Sequence, residues 1–329
     1  MPLIETKGGA SAQGFGLFTT TISDGTKGIF AIGATAASTC GTTVRDKYTY
    51  ASDTSTSCGV GAASTNSRQG AAAGTSKIGI FQLGIAGGGY SALRNKYTYA
   101  SDTSTASGIP SASAAGSQMA AAGNATRGIF SLGFLPPCYI NGRTTRNKYT
   151  YACDTSTSAS GFTACSYGSS AAGNSTRGIF HLGLANNVRS ATRNKTTYAT
   201  CCNTAAGVAT ATAGAFQGAA AGNSTRGIFA LGCANPANSI RNKYTYATDT
   251  NTACGVAGAS AITVLGSATG NSTRGIFAIG CQTGGGSSKT AVRNKYTYAT
   301  CSSTACGVGS ASTASSQGVA VSWATCVNT

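Results

Sequence analysis

Acid is what this chain has least of: 7 Asp and Glu stand against 23 Lys and Arg in 329 residues, and only 9% of positions are charged. So low a charge argues against ordinary acidic or basic disorder, and without Leu, Glu and Lys in quantity a coiled coil or helical bundle is excluded. Proline is limited to 5 residues and histidine to 1. No apolar run approaches the roughly 18 residues of a membrane-spanning helix. The segment Met1-Pro2-Leu3-Ile4-Glu5-Thr6-Lys7 lacks the apolar stretch of a secretory signal, so the expectation is synthesis in a cytosol without membrane insertion. Large aliphatic side chains are scarce too, which disfavours one thick core. Thin layers built from Ile, Phe, Tyr and Ala, among 46 glycines, are expected instead.

What the chain has in abundance is repetition. Gly-Ile-Phe recurs at Gly28, Gly79, Gly128, Gly178, Gly227 and Gly275, at intervals of 51, 49, 50, 49 and 48 residues. Arg-Asn-Lys-Tyr-Thr-Tyr or a near copy begins at Arg45, Arg94, Arg146, Arg193, Arg241 and Arg293. A third block lies 24 residues after that Arg, at Gln69, Gln118, Gln217 and Gln317, with Leu265 at the same offset and the third unit shortened.

Each unit reads as four short strands. Gly28-Ile29-Phe30-Ala31-Ile32-Gly33 is apolar on both faces, as a buried strand should be, with Gly at each end allowing a tight turn. Arg45-Asp46-Lys47-Tyr48-Thr49-Tyr50 alternates, placing Arg, Lys and Thr on one face and the two Tyr on the other. After an Asp/Thr/Ser turn, Cys58-Gly59-Val60 is expected to start a third strand. The small-residue segment Gln69-Gly70-Ala71-Ala72-Ala73 is the fourth. Its counterparts end in Gly123-Asn124, Gly173-Asn174, Gly222-Asn223 and Gly270-Asn271, read as hairpin turns that use positive φ.

About fifty residues with four strands is the size of a propeller blade. The predicted fold is an all-β β-propeller of six blades, each of about 50 residues with four antiparallel strands. A parallel β-helix is the alternative, but its rungs are shorter and need no repeated hairpin turn. Residues 25–329 would form this single domain and residues 1–24 an N-terminal arm. The extra copy Gln13-Gly14-Phe15-Gly16-Leu17 and the C-terminal Gln317-Gly318-Val319 are the candidates for a strand that closes the ring or docks the protein.

These repeats resemble the kelch-like propellers that occur as accessory proteins of tailed-bacteriophage virions. Met1-Pro2-Leu3-Ile4 through Gly8-Gly9-Ala10-Ser11-Ala12-Gln13-Gly14-Phe15-Gly16 is similar to the opening of many phage structural proteins. The likeness spans nearly the whole chain, although the Gly-Gly pair of eukaryotic kelch repeats is missing and the Tyr/Trp spacing differs. It implies a collar, tail or capsid-decorating component located in the virion.

Thirteen cysteines accompany a single His and no Cys-x-x-Cys pair, which argues against a metal site, and no cofactor is expected. Disulfides are the preferred reading, formed after a particle assembled in the cytosol is released. Cys301 and Cys306 flank the last Thr/Ser hairpin and are the candidate bridge. Cys40, Cys138, Cys233 and Cys281 fall in the rim segments between the apolar and Arg-Asn-Lys strands, and Cys326 lies near the end; these are the candidate intermolecular thiols.

Twelve of the 23 basic residues are Arg45, Lys47, Arg94, Lys96, Arg146, Lys148, Arg193, Lys195, Arg241, Lys243, Arg293 and Lys295. They are either a positive belt for an anionic partner or, as repetition favours, a solvated strand face whose stems cover Tyr rings near the turn Asp. No recognised DNA-reading module appears, so specific nucleic-acid binding is not supported. Asn124, Asn174, Asn223 and Asn271 fit the glycosylation pattern, but their turn position explains them.

Catalysis has little support: His181 stands where other units have Ala, Gln or Ser, and four of the six Asp copy one turn position. The expected function is therefore non-enzymatic, a disulfide-supported scaffold binding other virion proteins. The alternative is an adhesin gripping host-surface polysaccharide through scattered Tyr90, Phe134, Tyr139, Asn186 and Asn187.

Overall fold

The computed structural model describes residues 26–35, 41–135, 142–234, 238–253, 255–262, 264–281 and 289–322. Among these residues there are six four-stranded antiparallel sheets and no helix. Sheet 1 is ordered Val319–Ser322, Lys27–Ala31, Arg45–Thr49, Thr54–Thr56, and sheet 2 is Ala71–Gly74, Ile78–Gln82, Arg94–Thr98, Thr103–Thr105. Sheet 3 runs Ala121–Gly123, Arg127–Ser131, Arg146–Thr150, Thr155–Ala159; sheet 4 runs Ser170–Gly173, Arg177–His181, Arg193–Thr197, Asn203–Thr204. Sheet 5 is Ala219–Gly222, Arg226–Ala230, Arg241–Thr245, Thr250–Thr252, and sheet 6 is Ser267–Gly270, Arg274–Ala278, Arg293–Thr297, Ser302–Thr304. In each sheet the small-residue strand comes first, here called the inner strand.

Composition explains the arrangement. Inner strands are mostly Ala, Gly and Ser, with Thr269 in sheet 6 and Val319 and Val321 in sheet 1, so their backbones approach one another, and each packs beside the inner strands of the preceding and following sheets, sheet 6 meeting sheet 1. Outward from them, the alternation of Arg-x-Lys-Tyr-Thr gives each sheet two different buried faces. Ile29 of sheet 1 meets Phe81, Tyr97 and Tyr99 of sheet 2; Ile179 of sheet 4 meets Phe229, Tyr244 and Tyr246 of sheet 5; Ile276 of sheet 6 meets Phe30, Tyr48 and Tyr50 of sheet 1. The core is thus a set of thin layers between neighbouring sheets, in a propeller-like arrangement.

Three local expectations are corrected. The outer strand is Thr54–Thr56 and its counterparts, not Cys58-Gly59-Val60, because Asp53 adopts positive φ (53°) and accepts the Tyr48 hydroxyl, reversing the chain earlier. The Gly-Asn turns do not use positive φ. Instead Asn124 Oδ1 accepts the backbone N–H groups of Thr126 and Arg127, and Asn124 Nδ2 donates to the Ser175 carbonyl in the next sheet, linking sheets while closing the turn. The Gly of Gly-Ile-Phe makes room rather than a turn: a Cβ on Gly227 would lie 2.8 Å from Tyr246 Oη and 3.1 Å from Ala172 Cβ. Val319–Ser322 pairs with Lys27–Ala31, supplying the inner strand of sheet 1 from the far end of the sequence. Gln13–Leu17 lies outside the described residues.

Candidate functional site

The repeated arginines form no surface belt. Arg45, Arg94, Arg146, Arg193, Arg241 and Arg293 are at most 1% exposed, each slotted between its own sheet and the next. The Arg45 guanidinium lies 4.3 Å from the Phe81 ring centroid and Arg241 lies 4.5 Å from Phe277; Arg293 of sheet 6 lies 4.3 Å from Phe30 of sheet 1. Each also donates across the gap: Arg241 to Ser303 Oγ (2.7 Å) and Asn294 Oδ1 (3.2 Å), and Arg293 to Asp46 Oδ2 (2.8 Å). Burial pulls Arg45, Arg94, Arg146, Arg193 and Arg241 down to about 10. Arg293 is lowered as well by burial, against the opposing field of Asp46. A planar, weakly hydrated cation suits this slot because it stacks on a ring and hydrogen-bonds in plane at once.

The lysines of the predicted belt cross the same gaps nearer solvent. Lys47 pairs with Asp102, Lys96 with Asp154, Lys195 with Asp249, and Lys295 with Asp53, always from one sheet to the turn of the next. Tyr48, Tyr97, Tyr149 and Tyr244 donate to the same carboxylates from within each sheet, at 2.7–2.9 Å. Burial opposes ionisation of Asp53, Asp102 and Asp249, but the Lys and Tyr hydrogen bonds and nearby cations outweigh it and hold all three below the usual carboxylate value. Burial and the adjoining Asp push the four tyrosines up. Lys148 and Lys243 differ, since the turn position they face in the repeat is Cys201 and Cys301.

Cys301 and Cys306 are not bridged. Cys301 sits at positive φ (55°), half-buried, its thiol 3.9 Å from the Tyr298 carbonyl, whereas Cys306 is exposed in the following turn. Of the rim cysteines, Cys281 is buried (1%), and Cys233 is half-buried with Arg189 Nη2 3.6 Å from its sulfur. Cys40, Cys138 and Cys326, like Tyr139, lie outside the described residues. Among the described residues no three His, Cys, Asp or Glu side chains gather as a metal site. No helix there is long and apolar enough to cross a membrane.

His181 is buried (1%) on its strand face, with Nε2 donating to the Ser190 carbonyl at 2.8 Å. Burial, reinforced by nearby Arg193 and opposed by that hydrogen bond, pulls it down to about 4, so the ring is neutral near pH 7. It fills a core position.

A feature the sequence did not disclose lies where the inner strands begin. Backbone N–H groups of Gln69, Met119, Gly168, Gln217, Leu265 and Gln317 donate to the carbonyls of Gln317, Gln69, Gln118, Gly168, Gln217 and Leu265 respectively, so the hydrogen bonds run in a circle. Gln69, Gln118, Gln217, Leu265 and Gln317 take positive φ there, which Gly168 also adopts in the shortened third unit. The side chains line a cavity of about 60 Å³, spanned over Gly168 by Gln217 Nε2 donating to Gln118 Oε1 at 3.4 Å.

The connections from second to third strand emerge at this same end, because Gln82 pairs with both Ala71 and Arg94. They carry every exposed large hydrophobic side chain among the described residues: Val44, Tyr90, Leu93, Val188 and Ile240. Tyr90, Phe134 and Tyr167 form a chain of ring contacts at 6.1 and 5.3 Å, and Arg189 lies 5.5 Å from the Phe216 ring. Among the described residues Asp46, Asp53, Asp102, Asp154 and Asp249 are all paired inside the fold, and none of these carboxylates forms an ion pair with Arg68, Arg143 or Arg189 at this end. An apolar, aromatic and basic face of this kind is suited to docking.

Comparison with known proteins adds the fold alone. No family model matches the sequence and no curated protein matches it. A solved structure titled "Structure of YjhT" aligns with a TM-score of 0.59 over 78% of this chain and 87% of that chain, at 12% identity. The chain has a propeller-like all-β fold.

Proposed function

We propose that the chain is a closed six-bladed propeller that acts as a non-enzymatic docking scaffold in a tailed-phage particle. The observation carrying this reading is that, among the described residues, all five exposed large apolar side chains fall in second-to-third strand connections, at one end of the sheets. Five copies of chance placement do not account for that clustering; a partner that covers the face does. The repeated ionisable groups are meanwhile spent on sheet-to-sheet contacts, so recognition falls to the loops that break the repeat. Because the described residues of this face hold cations and no free acid, its partner is an acidic surface with apolar side chains, consistent with a neighbouring virion protein.

The test is a pair of particle preparations carrying Val188→Asp or Leu93→Asp. Both residues are exposed, so the folded chain should keep its melting temperature while its copy number on purified particles falls at least about tenfold. Retention at the wild-type level overturns the reading. A second reading, binding of host polysaccharide, draws on the ring series Tyr90, Phe134, Tyr167 beside Asn187, whose Oδ1 accepts the Tyr167 hydroxyl at 3.3 Å. It requires that purified protein retain host polysaccharide and that Tyr167→Ala abolish this.

A further inference from the structure

Two of the six turn sockets hold a thiol where the others hold a carboxylate. Asp53, Asp102, Asp154, Cys201, Asp249 and Cys301 share one repeat position and one backbone conformation, with φ between 47° and 59°. In the four Asp sockets the anion is met by a Tyr hydroxyl from its own sheet and a Lys from the preceding one. Three of the four add a second cation: Lys27 on Asp102, Arg177 on Asp249 and Arg274 on Asp53.

The Cys301 socket keeps these parts without the anion. Arg226 Nη1 reaches toward the sulfur at 4.0 Å, in the manner of Arg177 and Arg274 in their sockets. Lys243 holds the place that Lys195 and Lys295 hold elsewhere. Tyr296 is fully buried and its hydroxyl faces the Cys301 thiol rather than an oxygen acceptor, whereas its four counterparts donate to Asp oxygens. Cys201 is the poorer case, because Thr196 replaces the Tyr there.

We infer that Cys301 is an oxidative modification site, converted by a peroxide to the sulfinate, which then occupies the socket as Asp does in the other units. A sulfinate carries two oxygens and one negative charge, as a carboxylate does, and offers an acceptor for Tyr296 Oη and counter-charge for Arg226 and Lys243. In the first step the Cys301 sulfur, having lost its proton, attacks one peroxide oxygen. The S–O bond forms as the O–O bond breaks, and the departing hydroxide takes up the proton as water, leaving a sulfenic acid. A second hydrogen peroxide reacts in the same way, giving the sulfinate, a proton and a second water. Sulfur loses two electrons in each step and peroxide gains them.

The experiment exposes the folded full chain to graded hydrogen peroxide and follows each cysteine by peptide mass spectrometry. Cys301 should gain two oxygen atoms at a dose where exposed Cys306, outside any socket, is modified about tenfold less. Lys243→Met should slow Cys301 oxidation several-fold. Oxidised wild type should melt higher than reduced wild type, and Cys301→Asp should match the oxidised protein and lose its response to peroxide. Preferential oxidation of Cys306, a Cys301–Cys306 disulfide as the main product, or a Cys301→Asp variant melting below the reduced protein would each overturn the inference.

Discussion

The backbone N–H of Gln69 donates to the carbonyl oxygen of Gln317 at 2.7 Å, joining the start of sheet 2 to the strand that completes sheet 1. A few residues on, Val321 packs against Phe81 and Tyr97 of sheet 2 and is paired with Ile29 of sheet 1. The two contacts make the last described strand a clasp between the ends of the repeat array. Replacing Val321 (4% exposed) by Asp puts a charge into a cluster of apolar and aromatic side chains. The expected cost is about 3 kcal/mol or more. Hydrogen exchange should show protection lost first in sheets 1 and 2 while sheet 4 stays protected; uniform loss across all six would refute the clasp.

Arg241 reports on the inter-sheet slot. Arg241→Lys keeps the charge but gives up the planar contact with Phe277 and the paired bonds to Ser303 and Asn294. A loss of about 2–4 kcal/mol in denaturant unfolding is expected. If the slot only needs a positive charge, the Lys variant will unfold at the wild-type midpoint.

Acid should destabilise the fold in two windows. His181 titrates near 6.5 when unfolded and at about 4 when folded, so between those values the unfolded chain binds a proton the folded chain refuses. Stability therefore falls as pH drops from 6.5 to 4, by up to about 3 kcal/mol from this one group. Asp53, Asp102 and Asp249 are held below the ordinary 3.8, so their contribution is full above that value and disappears as pH falls through the folded values. His181→Gln copies Gln82 of sheet 2, a buried amide that accepts from Arg94. That variant should flatten the upper window and leave the lower one; an unchanged profile between pH 6.5 and 4 would exclude His181 as its source.

How much of this was legible in the sequence depended on whether period or environment decided the matter. The Gly-Ile-Phe and Arg-Asn-Lys strands, and the small-residue strand paired to them, follow from spacing and alternation, and the register confirms each. The fate of Arg45 did not follow, because alternation says which face a side chain occupies but not what covers that face. A guanidinium stacked on Phe81 and a guanidinium in water give the same pattern. Gln69 at positive φ was hidden for a similar reason: Gln has no preference for that region, and the circular hydrogen bonding that holds it there links successive repeats and, from Gln69 to Gln317, the two ends of the array. For Cys301 the position was legible and the chemistry was not. The repeat aligned it with Asp, yet only the three-dimensional neighbours show a socket built for an anion.

The glycine before each Ile-Phe pair offers a test in which the defect and its remedy are separate. Gly227→Ala would set a methyl 2.8 Å from Tyr246 Oη, and the ring cannot retreat because Tyr246 is only 2% exposed. The expected penalty is about 2 kcal/mol, the usual range for overpacking a close contact. Tyr246→Phe removes the hydroxyl at a smaller cost, since its ring stays packed against Ile179 and Phe229. In the double variant the methyl occupies the space the oxygen left, so the two losses should not add. A double-mutant cycle by urea unfolding should return a favourable coupling of about 1 kcal/mol. Strict additivity would mean that backbone entropy or the 3.1 Å approach to Ala172, rather than the phenol, requires glycine at this position.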